Sequence, residues 1–222
     1  MIGFISNLRQ PIDGFFYIIG VVLSIIAITF LSFRVAKKRK VWHIVAFVIY
    51  GISLVGMYTV SALYHSLRVS QTATDILRQV DHAMIYFLIV GSCTPIFLIV
   101  LRGGWRWSLF GINWGFAIAG IVLRLIFQNP PWSAIVAFFI FYIIMGWILV
   151  VAWRPLVRTL PMRGILWMIF GGVFYTLGAG VLNMERLDFI SYFGAQQIWP
   201  LFVIAGSFCH FWLIYKYIVH LK

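Results

Sequence analysis

Residues 61–95 read SALYHSLRVSQTATDILRQVDHAMIYFLIVGSCTP, and this stretch decides the fold. It closes one apolar run with Ser61-Ala-Leu-Tyr-His65, crosses a short polar segment, and opens the next run with Asp81-His82. Ser61 and His65 stand four apart, which puts both on one face of a helix. Asp81 follows where the chain turns back, so the three residues meet at one membrane surface. The whole chain of 222 residues has five acidic side chains. A carboxylate at the mouth of an apolar segment therefore marks a functional position.

Working outward, the composition excludes a water-soluble domain. The chain is 63% hydrophobic and 10% charged, with a mean hydropathy of +1.01; a water-facing surface needs far more charge. Apolar runs long enough to cross a bilayer recur along the full length, which defines an all-α, polytopic membrane protein. A membrane β-barrel would show short alternating segments, and these runs are continuous. The mixed stretch 1–14, with Arg9, Pro11 and Asp13, does not read as a cleavable leader. The formal net charge of +12 points to anionic lipid headgroups and membrane topology, and no nucleic-acid partner is expected. Cys93 and Cys209 lie inside apolar runs and read as small buried residues.

Seven spans are expected, at about 15–33, 41–64, 82–101, 108–127, 133–153, 165–183 and 200–218, forming one membrane domain. Connections are short, with turns at Pro130-Pro131 and from Arg154-Pro155 through Pro161. Gly115, Gly120, Gly171, Gly172, Gly178 and Gly180 suggest close helix contacts. Twelve of the seventeen basic residues fall on one face, led by Lys37-Lys38-Arg39-Lys40. The positive-inside rule then puts the C-terminus in the cytoplasm and the N-terminus outside. With seven spans, the end of span two, the start of span three and the start of span seven share one face. Ser61, His65 and Asp81 are thus level with residues 193–201.

What these three side chains do has two readings. A neutral imidazole is a good zinc ligand, and an Asp holds a metal-bound water as general base, with Ser61 orienting water or substrate. Alternatively, Ser61, His65 and Asp81 hydrogen-bond one another and pin two helices together.

The residues also carry a family resemblance. Ser61-x-x-x-His65, Asp81-His82-x-x-Ile85-Tyr86 and Gly91-Ser92-x-Thr94-Pro95 resemble the haemolysin III family, the bacterial branch of the progestin and adipoQ receptors. So do Trp107-Ser-Leu-Phe-Gly111, Phe174-Tyr-Thr-Leu-Gly178 and Leu201-Phe-Val-Ile-Ala-Gly206-Ser-Phe-Cys209-His210-Phe211. The resemblance covers nearly the whole chain. It implies a seven-helix bundle related to zinc-dependent membrane hydrolases that cleave a lipid amide. It further implies zinc held by His65 and by two His at the start of span seven, with Ser61 and Asp81 as catalytic residues around it. A cytoplasmic N-terminus is also implied, the reverse of the charge count.

This sequence departs from that pattern at span seven. The family's His-x-x-x-His falls on Gln196 and Pro200, and proline has no side-chain donor. A His common in the family's first span falls on Tyr17. His210 lies ten residues beyond Pro200, about 15 Å along a helix, and is too far to substitute. His82 points about 100° away from Asp81. His43 and His220 belong to the opposite face.

The reading is therefore a haemolysin III-like protein of a bacterial cell membrane, with membrane lipids as partners and a lipid as the expected substrate. Its zinc site is degenerate, and whether it is an enzyme stays open, as does its oligomeric state. The alternatives are a pore-forming, cytolytic protein and a non-enzymatic sensor of lipid state.

Overall fold

The computed structural model describes residues 9–36, 41–127, 132–182, 188–190 and 193–221. The chain runs α1 (Pro11–Ala36), α2 (Val41–Ser66), α3 (Gln71–Pro95) and α4 (Gly104–Ile126), then α5 (Trp132–Trp147), α6 (Trp153–Thr159), α7 (Met162–Leu182) and α8 (Ala195–Leu213). A 3₁₀ turn, Ile148–Ala152, joins α5 to α6, so the two act as one span. Wider π turns extend α3 over Ile96–Val100 and α8 over Ile214–Ile218. Among the described residues, seven helical segments are long and apolar enough to cross a membrane. Between α7 and α8 a small antiparallel hairpin pairs β1 (Asp188–Ile190) with β2 (Phe193–Gly194).

The bundle is organised around α3. In its most apolar window 83% of residues are buried, against 17–50% in the other six spans. Its neighbours are α2 on one side and α4 on the other, with α5 also packed against it. Apolar side chains on the outer helices, such as Phe33, Ile52, Ile118 and Val151, stay exposed because lipid replaces water as their solvent. Gly91 lets α2 and α3 approach closely: a Cβ there would lie 2.1 Å from Ser53 Oγ.

Two of the boundaries that differ from the sequence expectation do so for a local reason. The third helix begins at Gln71, so Asp81 stands about three turns inside it rather than at its mouth. Hydropathy registers only the apolar length, whereas the polar turns before it are held by capping and side-chain pairs. Ser70 Oγ accepts from the Ala73 amide at 3.4 Å, and Arg78 pairs with Asp75 at 3.4 Å. The Arg154-Pro155 segment is likewise helical. Pro155 sits in the first turn of α6, where its missing N–H is no loss, and the chain turns only after Thr159. Of the glycines expected at helix contacts, Gly115 and Gly180 face open space, while Gly120, Gly171 and Gly178 abut side chains.

At the far end of α3, Pro95 interrupts the amide ladder, and the helix widens until the Leu101 amide donates to the Ile96 carbonyl at 3.1 Å. Gly103 then turns the chain into α4 with φ of +60°, a conformation that favours glycine.

Candidate functional site

Three helices bring their polar residues together near the end of α2. Ser61 and His65 share its buried face, and Asp81 of α3 lies at the level of Ser61. The Ser61 hydroxyl donates to Asp81 Oδ1. Its oxygen also lies 3.9 Å from Met57 Sδ, one turn deeper. All three are almost completely buried, at 0% for Ser61, 6% for His65 and 8% for Asp81.

The third contributor is α1. Gln10 stands directly before that helix, and with Asp13 and Tyr17 within it follows i, i+3, i+7 spacing, which puts the three on one side. His65 Nδ1 hydrogen-bonds Gln10 Oε1. An amide oxygen accepts, so Nδ1 carries the proton and Nε2 holds the free lone pair. Asp13 Oδ2 lies 3.9 Å from the same Nδ1. Tyr17 stacks on the imidazole at 4.9 Å between ring centres, and Tyr64 meets it edge-on at 4.7 Å. The backbone continues the strap. The Gln10 amide donates to the His65 carbonyl at 2.9 Å and the Arg9 amide to the Ser66 carbonyl at 3.2 Å. These bonds satisfy carbonyls that the end of α2 would otherwise leave unpaired. Arg9 also covers the Tyr64 ring, 4.2 Å from its centre. Arg124 and Arg9 supply opposite charge that acts on Asp81 through space.

From α8, Trp199 and Pro200 are buried, and the Trp199 side chain lies near the Tyr17 hydroxyl. The start of α8 therefore faces the cluster. Gln196 falls in the first turn of α8, and its side chain lies outside the described residues. His82 turns elsewhere: its Nδ1 donates to the Arg78 carbonyl at 2.6 Å. His43 binds the Leu221 carbonyl at the opposite end of the bundle.

The donor set does not fit a zinc ion. Pro200 offers no side-chain ligand atom, so His65 Nε2, the ring nitrogen that Gln10 leaves free, has no partner ligand at that position. Among the described residues no three His, Cys, Asp or Glu side chains converge as a metal requires. The sequence reasoning found Ser61, His65 and Asp81 but missed Gln10 and Asp13. Their spacing with Tyr17 was the available signal.

The fold and this cluster define an integral, seven-span membrane protein with a polar site built on its first three helices. The family model for haemolysin-III related proteins matches residues 6–211, and the chain belongs to the haemolysin III family. It is 36% identical to Hemolysin-3 of Bacillus cereus over 201 residues, which cover 90% of this chain and 88% of that protein. A Hemolysin-3 homolog of Bacillus subtilis (strain 168) is 35% identical over 201 residues, covering 90% of each chain. The human monocyte to macrophage differentiation factor is 26% identical over 188 residues, covering 80% of this chain and 72% of that protein.

Proposed function

We propose that this chain is a non-hydrolytic haemolysin III protein of a bacterial cell membrane, which senses or buffers the state of the surrounding lipid. In this reading Ser61, His65 and Asp81 are the remaining half of a zinc-hydrolase site. They serve here as a hydrogen-bonded tie between α1, α2 and α3. The observation that carries the reading is Pro200 at a position where the family resemblance expects a ligand, with no group of three His, Cys, Asp or Glu side chains converging on His65 among the described residues.

The test is the metal content of the purified protein beside a Gln196→His, Pro200→His double variant, with hydrolysis of a ceramide-type amide measured on both. Metal-free native protein without amidase activity supports the reading, and zinc uptake by the double variant identifies the lost ligands. About one zinc per native chain overturns it. Dye release from liposomes that scales with protein would replace it with the cytolytic alternative.

A second reading rests on the Asp13 carboxylate 3.9 Å from His65 Nδ1. Asp13 and His65 then form a metal-free acid–base pair beside Ser61 and Asp81. Amide hydrolysis that survives chelation and is lost in both Asp13→Asn and His65→Gln would favour this second reading.

A further inference from the structure

Three of the sequence motifs play no part in the cluster at the end of α2: the stretches around Ser92, around Tyr175 and around His210. The fold brings all three to one place. Ser92, Tyr175, Thr176 and His210 line a cavity of about 50 Å³ between α3, α5, α7 and α8, walled otherwise mostly by apolar side chains. Ser92 lies eleven residues beyond Asp81 on α3, about 16 Å deeper in the bundle. Its polar end thus lies well beyond the Ser61–Asp81 pair, while Met57 and Trp199 line the cavity on the side nearer that pair.

The cavity holds polar atoms that the described residues leave unanswered. His210 is 5% exposed, and its Nδ1 has no hydrogen-bond partner; Ser92 is 1% exposed, and its Oγ makes no well-formed bond although the Tyr175 hydroxyl lies nearby. Buried polar groups are nearly always paired, and a cavity of this size has room for a water-sized group beside the few polar atoms of its wall. The wall is built to hold these side chains. His210 stacks on Tyr175 at 5.3 Å. A Cβ on Gly171 would lie 2.6 Å from His210 Nε2, and one on Gly206 would lie 2.5 Å from the Tyr175 ring, so these two glycines make the room for the stack.

On the side of α1 and α8 the cavity wall backs onto a recess that faces lipid. The Tyr175 hydroxyl lies 3.0 Å from Ser207 Oγ, which accepts from the Tyr58 hydroxyl at 2.8 Å. Tyr58 and Ser207 at the same time line a recess of about 240 Å³ between α1, α2 and α8. The rim of that recess, Leu23, Ile26, Phe30 and Phe208, is exposed on the outer surface of the bundle. The Tyr175–Ser207 hydrogen bond stands between the recess and the cavity.

We propose that this cavity is a second ligand site, which holds a hydroxyl group in the bilayer interior between His210 and Ser92. A hydroxyl both donates and accepts, so it answers His210 Nδ1 whichever ring nitrogen carries the proton, and it pairs with Ser92 either way. An ammonium or a carboxylate would bring an uncompensated charge into an apolar wall. The hydroxyl comes from water, or from a long-chain alcohol that enters through the α1–α8 recess.

Two arms of one experiment separate the sources, on the full-length protein in lipid bilayers. With ¹⁵N-labelled histidine, water-edited solid-state NMR shows magnetisation reaching the His210 ring if water fills the site. With a photoreactive long-chain alcohol and the matching hydrocarbon, cross-linking near His210 favours the alcohol if a lipid hydroxyl fills it. In Ser92→Ala that preference drops roughly fivefold, the loss of one neutral hydrogen bond. Ala179→Leu, which fills the cavity from α7, removes either signal. Asp81→Asn, at the other cluster, leaves both unchanged. The proposal is overturned if His210 receives no water signal and alcohol and hydrocarbon label alike, or if Asp81→Asn abolishes the signals.

Discussion

Two polar clusters lie in this bundle, one at the end of α2 and one about 16 Å deeper, and they differ in how their hydrogen bonds are completed. In the first, Ser61 answers Asp81 and Gln10 answers His65. Asp13 Oδ1 is left over. In the second, His210 Nδ1 and Ser92 Oγ are left over around a cavity. Side chains paired with one another across helices tie those helices together; unpaired ones around a void leave room for something that is not part of the chain. The same residue types, Ser and His at one depth, thus support opposite conclusions.

Substitutions break or sharpen this comparison, and denaturation midpoints of the purified protein in detergent read them. His65→Ala has the largest expected effect. It removes the Gln10 bond and the Tyr17 stack and strands buried polar groups, lowering stability by about 3 kcal/mol. If it is neutral, the tie between α1 and α2 is not structural. Gly206→Ala comes next, at about 2 kcal/mol, because the new methyl must displace the Tyr175 ring. The same variant disturbs the Tyr175–Ser207 bond, so it should also alter alcohol labelling. Ser61→Ala should cost about 1–2 kcal/mol, within the upper range measured for hydrogen bonds inside membranes. Ser92→Ala should stay within about 0.5 kcal/mol, since it deletes a hydroxyl that the described residues do not pair. The two serine variants form the sharpest contrast. Equal losses would mean that the clusters are alike and that Ser92 has a partner within the chain.

Much of this architecture was legible in the sequence. Apolar run length alone requires seven spans, and the i, i+4 pair Ser61–His65 with Asp81 after the turn required one cluster. Two things were hidden. The polar first turns of α3 carry no hydropathy signal, because capping by Ser70 and the Asp75–Arg78 pair hold them. The contribution of α1 was hidden because Gln10 and Asp13 sit before the long apolar run and read as flanking residues. The deep cavity illustrates a different limit. The spacing of Ser92, Tyr175 and His210 along the chain is large, and only packing shows that they share a void.

The central position of α3 has a consequence for how the protein is made. A helix surrounded by others presents Asp81, Ser92 and Thr94 to protein on the finished molecule, but it leaves the ribosome before α4 to α8 exist. Until those later segments arrive, its polar face is turned toward lipid or held provisionally by α1 and α2. The strap from Gln10 and Asp13 to His65 joins segments that are all synthesised early, so it is available while the rest of the bundle is awaited. Nascent chains cut after α3 should therefore be retained in the membrane when the strap is intact and be degraded faster when Gln10 is replaced by Leu.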